Sequence, residues 1–405
     1  MLPLLAFSAV AGASAKEWAA VDDTSASTVI GVGAQSDTRA VVGAANNGVG
    51  ALVERYDGDV FNKEMADGAG LLMDAAVSTT YTVATSMLPI IVSKDDKTYE
   101  TSESLGAVSQ DAHVENDIIY VVGSLVVPQA EGVPETPNGV GRSVDGGTTW
   151  DVSNIDVGYS RYGAFPSENV WYVSAGMWAS SDEEVSKRND HAHPTDFKNE
   201  HKRSIDSFAL SSRIDVGGGS SGAVHYKDIG HYKKFTGGAN ETETGWWGTI
   251  SKTTDGGKTW SKVFESDPVN DYYYFNSISC SSETHCVAVA EGDNADGSAF
   301  VGAFVTFDGG ASWTNTLTPD SIPDNTMSIM ASAWVSDDEG WLGAVGKSKT
   351  QLEAVFFHTT DGGKTYNVGQ TLTNCFPMDM TFGSTVGYAT CLNSAGSAGY
   401  VAMYV

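Results

Sequence analysis

The chain is predicted to be all-β and to fold as a seven-bladed propeller. Three observations carry this: an octapeptide that recurs four times, the regular spacing of its copies, and a carboxy-terminal run of three strands whose missing fourth the amino terminus can supply. The copies are Ser143–Trp150, Thr253–Trp260, Thr306–Trp313 and Thr359–Tyr366, each reading Ser/Thr-x-Asp-Gly-Gly-x-Ser/Thr-Trp/Tyr. Such a segment has the chemistry of a tight hairpin turn: Asp accepts the turn's own N–H groups, the glycines permit positive φ, and the hydroxyls bond the backbone. Asp145, Asp255, Asp308 and Asp361 are therefore read as structural, and the closing Trp150, Trp260, Trp313 and Tyr366 as rings that pack between neighbouring sheets.

Spacing defines the unit. Asp255, Asp308 and Asp361 stand 53 residues apart, whereas Asp145 and Asp255 are separated by 110, which implies either a missing copy or an insertion, the insertion being favoured. Tyr56–Phe61 and Ser93–Tyr99 read as worn, shortened copies of the turn. In the first unit four strands are predicted, over Thr28–Gly33, Arg39–Asn46, Gly50–Asp57 and Asp59–Met65. Four strands per repeat of this length mean propeller blades. At the end come strands over Met378–Phe382, Val386–Cys391 and Tyr400–Val405. Lys16–Val21 supplies the fourth, so the last blade is closed by both termini and leaves no open sheet edge.

Composition limits function. With 23 Lys and Arg against 51 Asp and Glu, the net charge is −28, so the surface repels nucleic-acid backbones and anionic membrane faces, and nucleic-acid partners are excluded. No segment reaches membrane-spanning length. Leu2–Gly12 is apolar and Ala13-Ser14-Ala15 forms a small-x-small cleavage site, so residues 1–15 read as a signal peptide and 16–405 as one exported domain, a monomer. Cys280 with Cys286 and Cys375 with Cys391 each flank a hairpin, and local disulfides within each fit an oxidising compartment.

The octapeptides, together with Gly340-Trp341-Leu342-Gly343, make the chain similar to the Asp-box (BNR repeat) β-propellers, across essentially the whole mature length. Within them it most resembles the photosystem II stability/assembly factor group, a resemblance that implies a non-catalytic scaffold in an organelle lumen. The acidic balance departs from the basic patch that group often uses. The sialidases share the fold, but their Arg-Ile-Pro motif is absent here and only seven arginines exist, three of them in one insertion.

Function is expected on the face opposite the octapeptide turns. The insertion, about 179–245, carries five of the eight histidines among nine lysines and arginines and reads as a binding flap; His191, His193 and His201 are its metal candidates, although a solvated loop is the plainer reading and no cofactor is expected. Arg161, Tyr162, Trp178, Trp246, Trp247, Tyr272, Tyr273 and Tyr274 are the binding candidates, because tyrosine and tryptophan beside carboxylates suit a sugar or a peptide. Asp74 in Leu-Met-Asp and Asp379 in Pro-Met-Asp occupy equivalent places on innermost strands near the channel. Equivalence argues for a repeated structural role, and they are the only catalytic candidates. The sequence thus favours a secreted, non-catalytic binder of a glycan or protein. A glycoside hydrolase or lyase acting through channel carboxylates, and a lumenal assembly factor, are the alternatives.

Overall fold

A computed structural model describes residues 16–21, 28–45, 51–66, 72–86, 89–127, 137–155, 160–177, 247–267, 271–294, 298–348, 351–393 and 399–405. The expected signal peptide and the His-rich insertion, with Trp178, Trp246, His191, His193 and His201, lie outside them. Among the described residues there is no α-helix, only a short 3-10 turn at Pro319–Ser321.

The strands follow the chain in consecutive antiparallel groups. β1 (Trp18–Val21) stands apart; β2 (Thr28–Ser36), β3 (Arg39–Ala45), β4 (Ala51–Tyr56) and β5 (Phe61–Ala66) form the first group. Next come β6 (Asp74–Val77), β7 (Thr82–Thr85), β8 (Pro89–Ser93) and β9 (Tyr99–Glu115), then β10 (Ile118–Val126), β11 (Asn138–Ser143) and β12 (Asp151–Asn154). β13 (Ser160–Ala164), β14 (Trp171–Met177), β15 (Trp247–Thr253) and β16 (Ser261–Glu265) make one sheet, and β17 (Tyr272–Cys280), β18 (Cys286–Asp293), β19 (Ala299–Thr306) and β20 (Thr314–Asn315) another. β21 (Thr326–Trp334), β22 (Gly340–Lys347), β23 (Leu352–Thr359) and β24 (Asn367–Thr373) follow, and the last sheet pairs β25 (Phe376–Phe382), β26 (Gly387–Leu392) and β27 (Gly399–Tyr404) with β1.

Six sheets result, one of seven strands. That sheet is two blades sharing β9, which pairs with β8 from Tyr99 to Gly106 and with β10 from Gly106 to Glu115. One strand is thus outermost in one blade and innermost in the next, an arrangement consistent with the seven blades expected. Closure is as the sequence suggests: Trp18 pairs with Tyr404 and Val21 with Val401, and Gln370 of β24 clamps the backbone N–H and C=O of Trp18 at 2.6 Å each. The indole, 1% exposed, stacks on Phe356 at 4.6 Å between the last two blades.

Burial follows from position in the blade. Second strands are buried on both faces and read as apolar runs, as in Cys-Val-Ala-Val-Ala of β18, whereas the outermost β24 alternates into solvent. Four turns join third to fourth strands with one geometry. In the first, Thr149 donates its N–H to Asp145 Oδ1 at 2.9 Å and its hydroxyl to Oδ2 at 2.6 Å, Gly147 N–H reaches Ser143 Oγ at 2.9 Å, and Gly146 and Gly147 sit at φ +72° and +80°. Asp255, Asp308 and Asp361 repeat these bonds with Thr259, Ser312 and Thr365. The closing rings reach back to the preceding blade: Trp150 to Ser102 Oγ at 2.9 Å, Trp260 to Ser153 Oγ at 2.7 Å, Trp313 edge-on to Tyr172 at 6.3 Å, and Tyr366 into the apolar cluster of Val287 and Val305. Asp57 and Asp95 make reduced versions in the first two blades. Both disulfides are local, as expected: Cys280–Cys286 joins β17 to β18, and Cys375–Cys391 ties the residue before β25 to β26.

Candidate functional site: the central cavity

The innermost strands β2, β9, β13, β17, β21 and β25 are each interrupted where they line the channel. The register skips Ile30 and Gly31, Gln110, Arg161, Asn276, Met327 and Met330, and Met378. A bulge inserts a residue without a cross-strand partner and re-aims the local side chains. Of these residues Ile30, Arg161, Asn276, Met327, Met330 and Met378 line a central cavity of about 890 Å³.

Three carboxylates in its wall follow one rule. Each accepts the N–H of the equivalent position on the next blade: Asp379 Oδ2 from Val32 at 2.9 Å, Asp74 Oδ2 from Ala112 at 2.7 Å, and Asp111 Oδ2 from Gly163 at 2.6 Å. Asp74 and Asp379 also accept the N–H of their own successors, Ala75 and Met380, at 2.8 Å each. The first blade carries Gly31 at the corresponding place, where a Cβ would fall 2.2 Å from Asp74 Cα. The equivalence of Asp74 and Asp379 seen in the sequence is thus a set of inter-blade clasps, with Asp111 as an unrecognised third member. Gln110-Asp111-Ala112 repeats the local pattern of Met73-Asp74-Ala75, but β9 runs 17 residues without a turn to mark where the blade begins.

These clasps are not electrostatically equal to free carboxylates. Burial, with Asp379 and Asp111 nearby, pushes Asp74 well above the usual range despite its two N–H donors. Burial likewise raises Asp379 to about 7, with Asp111 adding and the Val32 and Met380 N–H groups and His113 opposing. Nε2 of His113 lies 3.1 Å from both Asp111 oxygens, and its ring packs against Phe165 at 5.1 Å. Burial works against the imidazolium, yet Asp111, with Glu115 and Asp379, holds it up at about 9. The side chain remains 29% exposed, within the water-accessible channel.

On the neighbouring innermost strand β13, Arg161 lies over the rings of Tyr274 at 4.9 Å and Tyr162 at 5.4 Å. Tyr274 donates its hydroxyl to Glu291 Oε1, and Ser328 donates to Oε2, so both Glu291 oxygens are engaged. Burial raises Tyr162 to about 12 and Tyr274 well above the ordinary phenol value, keeping both neutral hydrogen-bonding groups.

The predicted aromatic face therefore divides. Arg161, Tyr162 and Tyr274 line the cavity. Tyr273 points the other way along β17, is buried, and stacks on Phe300 at 4.7 Å within its own blade, so it is a packing residue. Trp247 and Tyr272 head β15 and β17, and only their backbone is described. His113, Asp111 and Glu291 were missed by the sequence reading. Glu291 alone carried a local signal, a charge closing the apolar run of β18.

The fold and site define a β-propeller whose central cavity holds buried carboxylates, an imidazole and a guanidinium in its wall. No family model matches the chain, and no curated protein matches it. Solved structures do. An ulvan lyase of a polysaccharide lyase family is 10% identical, with 94% of each chain covered and a TM-score of 0.51. The structure of U3-55K is 9% identical, covering 97% of this chain and 99% of that one at 0.51. YCF48 from Cyanidioschyzon merolae is 11% identical over 96% and 98%, at 0.48. Identities this low establish the propeller fold alone.

Proposed function

We propose that the protein is an exported, non-catalytic binding propeller of the Asp-box kind, one domain over 16–405 with a flap at 179–245, whose client is a saccharide held in the central cavity. The observation that carries this is the cavity itself. At about 890 Å³ it falls within the about 300–1,000 Å³ of small-ligand sites, and its wall offers Arg161, Tyr162, Tyr274 and His113 as convergent polar groups. A protein client would want a broad face instead. Non-catalysis is supported by the clasps, because Asp74 and Asp379 commit both oxygens to backbone N–H groups. The signal-like residues 1–15 and two disulfides support an extracellular destination. An organelle lumen, as the assembly-factor resemblance implies, is the other oxidising destination.

A lyase or hydrolase is the second reading, because proton-transfer groups share the cavity and an ulvan lyase shares the fold. One experiment separates the two. The purified mature chain is incubated with a panel of polysaccharides, recording retention and product release in the same samples. Retention of at least one polymer with no new chain ends is expected. Released product abolished by Asp379→Asn would make the protein an enzyme, and absence of retention across the panel would remove the saccharide reading.

A further inference from the structure

Five apolar residues of the cavity wall take no part in the packing between blades. Ile30 of β2, Met73 just before β6, Met327 and Met330 of β21 and Met378 of β25 all line the cavity, and none belongs to an apolar cluster among the described residues. We infer that they form a seat for apolar groups, and that the saccharide the cavity takes carries short acyl or alkyl substituents on its hydroxyls. This rests on the saccharide reading above and deepens it.

Three features carry the assignment. First, backbone register sets these side chains aside. Ile329 enters the apolar cluster shared with the preceding blade and Ala331 the one shared with the following blade, while Met330, skipped between them, is left to the cavity. Ile30, Met327 and Met378 are skipped in the same way, and the three methionines of β21 and β25 remain only half-buried. Second, the five lie on consecutive blades and make one arc. Ala331 of β21 shares a cluster with Met380 of β25, the Val32 N–H to Asp379 bond joins β25 to β2, and the close approach of Gly31 to Asp74 joins β2 to β6. The carboxyls within this arc, Asp74 and Asp379, are turned onto backbone N–H groups. His113, Tyr162 and Tyr274 stand outside it, on β9, β13 and β17, so the cavity is apolar on one side and polar on the other. A bare sugar would set hydroxyls against the methionine side, whereas one with short apolar substituents matches both. Third, Asn276 marks where the two sides meet. It lines the cavity at 1% exposure and donates Nδ2–H to the Ile329 carbonyl at 3.0 Å and towards Met330 Sδ at 3.4 Å. These bonds fix the amide, and Oδ1 is left as a buried acceptor without a donor among the described residues. A sugar hydroxyl can satisfy it while a substituent on the next carbon covers Met330. Unbranched, polarisable thioethers adapt to such a group.

The test compares substituted with bare sugars. Xylotriose, mannotriose and the trisaccharide of any polymer retained in the panel above are each prepared bare, O-acetylated and O-methylated. Their binding to the mature protein is measured by calorimetry at pH 7, with the double variants Met330→Gln/Met378→Gln and Met330→Leu/Met378→Leu alongside. In at least one set a substituted form is expected to bind about fivefold or more tightly than the bare one, with a more negative heat-capacity change. That preference is expected to be lost with glutamine, which keeps the length and adds polarity, and kept with leucine. Should the glutamine variant fail to fold, the wild-type protein is oxidised with dilute peroxide, and mass spectrometry follows sulfoxide at Met330 and Met378. The preference is then expected to fall with oxidation and to return on treatment with methionine sulfoxide reductase. Equal or weaker binding of every substituted form, or a preference unchanged by glutamine or by sulfoxide at these positions, would overturn the inference while leaving saccharide binding intact. Binding of no trisaccharide in any form, with no polymer retained, would overturn both.

Discussion

The aspartates of the turns and those of the channel accept the same kind of donor and end at opposite ends of the acid range. Asp145, Asp255 and Asp308 lie in solvent-facing turns, and the hydroxyl and N–H of Thr149, Thr259 and Ser312 hold them down at about 2. Asp379 accepts two N–H bonds of similar length and rises to about 7, and burial raises Asp74 well above the carboxylate range as well. Hydrogen bonding favours the carboxylate in both places, so burial makes the difference. The bonds differ in reach as well. A turn Asp is satisfied within four residues, whereas Asp379 and Val32 are 347 residues apart and meet only when the ring closes. The turns stabilise blades one at a time, and the channel clasps stabilise the ring.

That contrast can be broken experimentally, beginning with the longest-range contact. Trp18→Ala removes the indole that locks β1 between the last two blades, and a loss of about 3–5 kcal/mol is expected in chemical denaturation. A cost below about 1 kcal/mol would show that closure is not used. Asp74→Ala comes next, because it strands the Ala75 and Ala112 N–H groups; about 2–4 kcal/mol is expected, and more than Asp255→Ala costs in its exposed turn. Equal costs would erase the distinction between turn and ring.

Titration sharpens the comparison. A carboxyl raised to about 7 in the folded chain, against about 3.9 unfolded, contributes stability that is complete below the unfolded value and is lost as pH rises through 7. His113, raised to about 9, behaves likewise across about 6.5 to 9. The turn aspartates act oppositely, their contribution present above about 3.9 and lost as pH falls through about 2. Melting temperatures are therefore expected to peak on the acid side of neutrality. Asp379→Asn is expected to flatten the decline between pH 4 and 7, whatever its effect on absolute stability. The smallest effect belongs to Asp255→Asn, visible only as a shallower loss below pH 4, and a steeper one would contradict the assignment.

The same division explains what was legible in the sequence. Asp, Gly, Gly and Thr within eight residues specify a turn by themselves, so four blades, their spacing, the strand partners of the termini and both hairpin disulfides could be read directly. The cavity could not. Its wall depends on bulges whose residues, such as Asn276 and Met330, carry no local mark, and on contacts between blades far apart in sequence. Asp74 and Asp379 stood out because each follows Met after a loop. Asp111, their equivalent, was hidden inside β9, and His113 with it. Tyr273 and Tyr274 show the limit most plainly: adjacent in one aromatic run, they point to opposite faces, and only Tyr274 reaches the cavity.

The central claim is that a saccharide occupies the central cavity. Its most direct test is a crystal structure of the mature protein with an oligosaccharide of the polymer it retains most tightly. Sugar density inside the cavity, against the innermost strands, is the result expected. Density on the outer edge of the blades or on the face of the Asp-Gly-Gly turns, with the channel holding only water, would contradict it.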